Sequence, residues 1–344
     1  MIFKNVSIDS FAYFLPEETI SSDQIEQMLA SAYNRLSLPF GRLELMTGIK
    51  ERRMWPIGTR SSLLAINAAK KLFQKSKIGP DQVDLLIHAS VCRDFLEPAT
   101  ATVVHNELKI KMNSMAFDLS NACLGVMNAL LIAGNLIESG VIKNALIVSG
   151  ENSGPLLLNT INELKNNQSI TRKSIKKYIA NLTIGSAATA IMLTSTNNQK
   201  HMASLLGGVF NTDSNANHLC RGDGNSNELM METDSEELLK FGINLGKSTF
   251  NDFLHEFQIT QKNISLALMH QVGSAHESLS LEAFQLKDTP TFKTYPTLGN
   301  TGSSALPITL MLAQEENKIK SKDFVALLGI GSGLVSAMLG VKWN

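Results

Sequence analysis

One stretch, Asp118–Gly140 (DLSNACLGVMNALLIAGNLIESG), constrains this chain more than any other. Met115, Ala116 and Phe117 read as the end of a buried strand, and small polar residues follow. From Leu124 apolar side chains recur with small residues between them, until Gly140 stops the run. The pattern predicts a strand, an elbow and a helix, with Cys123 at the junction. A thiol in the first turn of a helix faces unpaired backbone N–H groups and the positive end of the macrodipole, which favour thiolate over thiol. Cys123 is therefore a candidate nucleophile. Free cysteine is also among the most buried residue types and packs as a small hydrophobe, so this stretch alone leaves both readings open.

The chain has 344 residues, 44% of them hydrophobic, enough for one large core or two packed halves of ordinary domain size. Lysine plus arginine number 31 and aspartate plus glutamate 31, so no net charge draws the protein to nucleic acid or to an anionic membrane. Cys92, Cys123 and Cys220 have neither framework spacing nor an even count. A disulfide scaffold and a zinc site are both unsupported, and reduced thiols with a cytoplasmic location are expected. The N-terminus alternates like a first strand and lacks the regions of a signal peptide, and no apolar run is long enough to span a bilayer.

Strands and helices alternate along the chain. Val6–Leu15 reads as a strand, and Ser21-Ser22-Asp23 caps a helix to about Asn34. Ser61–Lys75 has helical spacing, Val83–Ser90 is a short apolar strand, and Pro98 starts a helix carrying Thr100, Val104 and Leu108. Val141–Val148 reads as a strand, a polar, lysine-rich cap insertion follows over about 152–180, and Ala187–Thr194 closes the first half. The second half reads as strand Met202–Phe210, helix Glu236–Phe257 and strand Ile264–Met269 ending at His270, with a helix near Ser274. After the short extended Phe292–Thr294 and the turn Gly299–Gly302 comes helix Ser303–Ala313, then strands Phe324–Leu328 and Leu334–Val341 around Gly329–Gly333. This order predicts layered α/β architecture with parallel strands covered on both faces, in two halves, 1–197 and 198–344. The duplication is inferred from element order only.

Cys123, His270 and Asn300 share one property: each lies at the end of an apolar strand or in the turn just after it, where open α/β sheets bind ligands. The strand before His270 is too apolar to favour a charge, so a neutral imidazole within reach of a pocket is plausible, although for a lone histidine a hydrogen-bonded core residue ranks first. Asn300 sits in a glycine turn where asparagine is common for backbone reasons. Gly331-Ser332-Gly333 reads as a turn able to bring a backbone N–H close to a substrate. Arg52 and Arg53 could contact a phosphorylated ligand, although a solvated charge cluster ranks first. A cysteine, a histidine and an asparagine fit a cysteine peptidase as well as an acyl-transfer enzyme.

The flanking residues separate the two. DLSNACLGVMNAL, LALMHQVG, LGNTGSSALP and GIGSGL, in this order, resemble the four active-site signatures of the thiolase superfamily, close to ketoacyl-ACP synthase III. TGIKERR resembles the N-terminal signature of that family, and FNTDSNANHLCRGDG its mid-chain loop. The resemblance implies a thiolase fold, five-layered αβαβα from two similar halves, a homodimer, and a narrow tunnel in which pantetheine delivers an acyl thioester. It makes Cys123 the acyl acceptor and His270 and Asn300 the donors to an enolate-like thioester oxygen. The backbone N–H groups of Cys123 and Ser332 become the second oxyanion site. The resemblance also implies no bound cofactor, acyl-CoA or acyl-ACP as the thioester substrate, and acyl carrier protein as a candidate partner.

Glu97 distinguishes two chemistries within the family. Ketoacyl synthase III extends a primer with malonyl-ACP, where decarboxylation makes the carbanion, and usually has an apolar residue at this position. The condensing thiolase of bacterial olefin biosynthesis, which joins two acyl-CoAs head to head, has glutamate there, and CRDFLEP and SGENSG resemble its sequence. The resemblance makes Glu97 the base, acting in the active site of the partner subunit. Without decarboxylation some base is required, and burial in an apolar tunnel would raise its pKa toward neutrality. A carboxylate at a helix start or an interface is the structural alternative. Non-decarboxylative condensation of two acyl-CoAs is therefore the leading expectation. The alternatives are decarboxylative synthase III initiation, transfer of the acyl group to a hydroxyl or amine, and a non-catalytic acyl-CoA-binding subunit. His218 and Arg221 lie in the loop like the pantetheine-side region, but loop polarity explains them nearly as well.

Overall fold

In the computed structural model, which describes residues 1–196, 201–223 and 229–344, nine strands pair into one sheet that folds around a central pair of helices. The strands are β1 Val6–Phe14, β2 Leu85–Ala89, β3 Met115–Leu119, β4 Asn144–Glu151, β5 Ala187–Ser195, β6 Ala203–Thr212, β7 Leu266–Met269, β8 Phe324–Gly331 and β9 Val335–Trp343. The principal helices are α1 Ser61–Phe73, α2 Thr100–Glu107, α3 Gly125–Glu138, α4 Gly154–Asn166, α5 Ser235–Phe257, α6 Ser274–Ala283 and α7 Ala305–Glu315.

The strand order is β7-β8-β9-β6-β1-β5-β4-β2-β3. On one side β1 and β5, then β5 and β4, pair antiparallel, while β4, β2 and β3 run parallel. The other side repeats this: β6 with β9 and β9 with β8 are antiparallel, β8 and β7 are parallel, and the single bridge Ala267↔Thr291 stands where a third parallel strand would lie. The two sides meet where β1 and β6 pair antiparallel through Ser7↔Ser204 and Ile8↔Ala203. The junction between residues 197 and 198 lies outside the described residues, as does Gly224 at the end of the mid-chain loop.

Strand alternation builds the layers. Leu85, Ile87, Ile147, Ile191, Leu268 and Leu327 pack with Leu130, Leu131, Leu306 and Leu310 of α3 and α7. Their neighbours Leu86, Leu146, Val148 and Met192 face the other way, onto Leu64, Leu72 and Val104 of α1 and α2. On the second side, Ala267, Met269, Ala326 and Leu328 face Phe250, Phe253 and Phe284 around α5 and α6. Parallel strands buried on both faces read as continuous apolar runs because each face has its own helix layer. The result is αβαβα, with a buried leucine in any layer contributing about 1.5–3 kcal/mol.

Four of the departures from the sequence expectation bear on the site and its surroundings. The helix expected to start at Pro98 starts at Thr100, because the Asp118 carboxylate takes the N–H groups of Thr100 (2.8 Å) and Ala101 (2.7 Å); the Glu97–Pro98 peptide is cis. The strand expected at Val141 starts at Asn144, since Asp84 captures the N–H groups of Lys143 (2.8 Å) and Asn144 (3.0 Å) and Val141 is left exposed. The first helix divides at Leu29 into Ser22–Met28 and Ala30–Arg35. Helix α3 begins at Gly125, so Cys123 precedes the helix rather than occupying its first turn.

The cap insertion is helical. α4 and the 3-10 segment Ser174–Leu182 share a core with the two short N-terminal helices, through Leu157, Ile161, Leu164, Ile175 and Leu182 against Ile25, Leu29 and Tyr33. It reaches the hairpin of strands Cys220–Asp223 and Met230–Thr233 through Asn181 Nδ2, which donates to Met231 O at 2.8 Å. Among the described residues no helix is long and apolar enough to cross a membrane.

Candidate active site

Five segments that carry candidate residues or their neighbours follow the C-terminal ends of strands in the sheet. β3 leads to Cys123, β2 to Glu97, β4 ends in Glu151, β7 leads to His270 and β8 to Ser332. An open groove of about 750 Å³ lined by Asp84, Lys111 and Lys143 lies at the opposite ends of β2, β3 and β4 and holds none of them.

Cys123 follows Ala122, whose φ of +45° lies in the left-handed region that costs a non-glycine residue about 1–2 kcal/mol. The sharp turn is held by Ser303, whose hydroxyl donates to Ala122 O at 2.7 Å. Gly125 makes this possible, since a Cβ there would meet Ser303 Oγ at 3.0 Å. The Asn300 side chain lies near enough to the Cys123 thiol to pull its pKa down. Its Oδ1 accepts from Gly302 N (3.1 Å). The Asn300 backbone is pinned by bonds to Thr183 O and from Gly185 N, both 2.9 Å.

The electrostatics overturn one expectation. The cysteine was expected to have a lowered pKa, yet the Cys123 thiol is pushed up to about 12. Desolvation is the largest cause, followed by the charge of Glu151 and then Cys220; the Asn300 hydrogen bond and the cysteine's own N–H pull the other way. With the helix beginning two residues later, the favourable terminus does not overcome burial. Cys123 keeps part of its surface accessible and rests as a thiol.

His270 is 3% exposed, and its pKa is lowered to about 3 by burial and then by the neighbouring His276. It is the neutral imidazole the sequence predicts. Its backbone N–H donates to Leu328 O at 3.0 Å, tying it to β8, and its ring Nδ1 has no hydrogen-bond partner among the described residues. Ser332 sits in the turn after β8; the Leu124 side chain packs against Gly329 and Gly331 there, which brings the turn beside the nucleophile's neighbour.

Glu97 is exposed, beside Leu96, which is 87% exposed. Its loop has a firm base. Asp94 Oδ1 accepts from Ser62 N (2.9 Å), Asp94 N donates to Thr100 Oγ1 (3.1 Å), and Val91 and Cys92 N–H groups bond the Glu151 carboxylate at 2.9 and 3.2 Å. Glu151 was missed as a site residue; the sequence signal was a carboxylate closing the apolar run ALIVSGE. Burial raises its pKa against three backbone donors.

The arginines take the bland reading further. Arg52 is fully buried, donating to Leu182 O (2.8 Å), Ser22 Oγ (3.1 Å) and Ile20 O (3.4 Å), and Arg53 donates to Pro16 O (2.8 Å). Both are bracing residues rather than a solvated cluster. His218 and Arg221 are exposed. Among the described residues no group of three or more His, Cys, Asp or Glu side chains could hold a metal.

The family model for 3-oxoacyl-[acyl-carrier-protein] synthase III matches residues 117–171, and that for its C-terminal part residues 254–343. A variant of Xanthomonas campestris OleA with bound lauric acid and lauroyl-CoA superimposes with a TM-score of 0.94 at 32% identity, covering 99% of this chain and 100% of that one. Fold and site thus define a thiolase-fold acyltransferase. The acyl-CoA:acyl-CoA alkyltransferase of Shewanella oneidensis is 36% identical over 353 residues, and that of Xanthomonas campestris 33% over 343, each covering 100% of both chains. A β-ketoacyl-ACP synthase III of Clostridium tetani is 27% identical over 346 residues, covering 99% of each. The chain belongs to the acyl-CoA:acyl-CoA alkyltransferase (OleA) family.

Proposed function

We propose that this enzyme joins two acyl-CoAs by non-decarboxylative Claisen condensation, forming a β-ketoacyl product by a ping-pong route. The observation that carries the reading is Glu97: a carboxylate on a braced, outward-facing loop, in a chain alike over its full length to acyl-CoA:acyl-CoA alkyltransferases.

Cys123 sulfur attacks the first thioester carbonyl, the C–S bond to CoA breaks, and CoA leaves as its thiol with the cysteine's proton. The second acyl-CoA then loses an α-proton to Glu97. His270 and Asn300 donate to its enolate oxygen, and the carbanion attacks the acyl-cysteine. The new oxyanion rests on the N–H groups of Cys123 and Ser332 until the Cys123 C–S bond breaks, releasing β-ketoacyl-CoA, and the cysteine sulfur takes up the proton that Glu97 removed. Donors fixed before reaction stabilise charge that exists only along the path, and losing one costs roughly 3–4 kcal/mol. A thiol held near 12 matches this sequence, since it transfers its proton as the substrate arrives rather than standing as a reactive thiolate. The chemistry calls for no bound metal or redox group.

Glu97 needs a second subunit to be useful. β3 is an outer strand of the sheet, with one backbone edge unpaired, and Leu96, Met112, Val91 and Met115 are exposed around it. An apolar edge of this kind is covered in stable proteins. A second copy is the occupant that also buries Glu97 in an active site, so the enzyme works as a homodimer, in the cytoplasm. Malonyl-independent product from purified protein and long-chain acyl-CoA tests the reading, and a strict malonyl-ACP requirement overturns it.

A further inference from the structure

Glu151 ties together parts of the chain that the reaction uses separately. Its Oε1 accepts from Val91 N (2.9 Å) and from Ser303 N (3.0 Å), and its Oε2 from Cys92 N (3.2 Å). The first and third donors open the loop that ends at Glu97. The second lies at the start of the segment leading into α7, and the hydroxyl of the same Ser303 holds Ala122 O next to Cys123. Its own backbone carbonyl accepts from Trp55 Nε1 at 3.2 Å, so the residue is fixed at both ends. It is 4% exposed. A buried carboxylate is costly unless it is fully hydrogen-bonded, and among the described residues no cation forms an ion pair with it. An apolar or amide side chain would fill the space at lower cost, unless the three N–H groups must be gathered on one anion.

We propose that Glu151 is a positioning residue, a single carboxylate that sets the Glu97 loop against the nucleophile elbow and so fixes how far the base reaches. The proposal rests on Glu97 being the base. The Asn300 backbone has its own anchors in Thr183 and Gly185, although Gly302, which holds its amide, packs beside the Glu151 carboxylate. The loop depends on Glu151: between the Glu151 bonds and the Asp94 and Asp118 bonds, only residues near Leu96 and Glu97 project freely. When Glu97 serves the partner's pocket, Glu151 also links each subunit's own elbow to the base it lends.

Glu151→Gln keeps the shape, removes the charge and turns an NH2 toward one backbone N–H. The half-reactions separate its consequences. Single-turnover mass spectrometry on the full-length enzyme, with lauroyl-CoA as probe, is expected to show condensation about tenfold or more slower and the CoA burst from Cys123 acylation within about twofold of wild type. Iodoacetamide is expected to label Cys123 faster at fixed pH, because a negative charge that holds the thiol up has gone. A purely structural lesion would slow condensation without speeding labelling. In a Glu97→Ala background, Glu151→Gln is expected to add less than about twofold, since its effect passes through the base. A full-sized further loss in that background, or acylation and condensation falling by one common factor, overturns the proposal. Failure of the base assignment shows separately, as Glu97→Ala alone leaving condensation intact. Should Glu151→Gln not fold, Glu151→Asp keeps the charge and shortens the reach: the same loss of condensation with unchanged labelling supports the proposal, and unchanged condensation overturns it.

Discussion

The Asn300 side chain pulls the pKa of the Cys123 thiol down against burial, although 176 residues of chain lie between them, and the Gly302 N–H holds its Oδ1. A donor that favours negative charge on sulfur is also suited to an enolate oxygen. Asn300→Ala is expected to lower condensation by about 10²–10³ and to slow Cys123 alkylation at fixed pH. Kinetics beside iodoacetamide labelling check both; labelling that speeds up would contradict the direction of that pull.

Cys123 carries a pH signature of its own. With the thiol pushed up to about 12, roughly one molecule in 10⁴ is thiolate at pH 8. Alkylation of the free enzyme is therefore expected to rise with pH through 10 with no plateau near neutrality. A plateau below about pH 7 would mean the helix terminus outweighs burial after all.

Cross-subunit chemistry gives a complementation test. Cys123→Ala and Glu97→Ala homodimers should each be inactive in condensation, while co-expressed heterodimers regain up to about half of one wild-type dimer's activity, from the one site that keeps both groups. Heterodimers as inactive as their parents would place Glu97 in its own subunit's site, or outside the reaction.

Acid should unfold the protein through its buried histidines. His270 is lowered to about 3, His276 to about 4 and His88 to about 4, each mainly by burial. Above about pH 6.5 both folded and unfolded forms are neutral and these groups contribute nothing. Below it the unfolded chain binds protons that the folded one refuses, so stability falls by about 1.4 kcal/mol per pH unit for each such group until pH nears the folded pKa. Glu151, whose raised carboxyl works in the opposite direction, offsets part of one. Calorimetry from pH 7.5 to 4.5 should show Tm falling, and a flat profile would contradict neutral burial.

Gly185 shows how closely the asparagine turn is packed. A Cβ there would collide with the Leu298 carbonyl, a backbone atom that cannot move aside cheaply. Gly185→Ala is expected to cost about 1–3 kcal/mol by overpacking and to displace Asn300, seen as a lower Tm together with a lower turnover.

Much of this was legible in the sequence because apolar runs and their punctuation report local structure directly. The strand before Cys123, the helix after it, and the strands leading to His270 and Ser332 all follow from period and from glycine, but the first of these, expected to be buried, is an edge strand with Met115 exposed. The details that escaped are long-range. Asp118 delays α2 to Thr100, and Asp84 delays β4 to Asn144, through side chains far away in the chain. The raised Cys123 thiol depends on what surrounds it, which no local pattern states. Glu151 was visible only as part of SGENSG, since its three donors come from residues 91, 92 and 303. Arg52 was misjudged for the same reason: a charge run gives no hint that one member is buried among carbonyls.

The most direct measurement is a mass-spectrometric product assay on purified protein given long-chain acyl-CoA alone, with and without malonyl-ACP, comparing wild type with Glu97→Ala. Non-decarboxylative condensation predicts a β-keto product of doubled chain length from acyl-CoA alone, lost in the variant. Product that requires malonyl-ACP and is unaffected by Glu97→Ala would contradict it, making the enzyme an initiation synthase and Glu97 a structural residue.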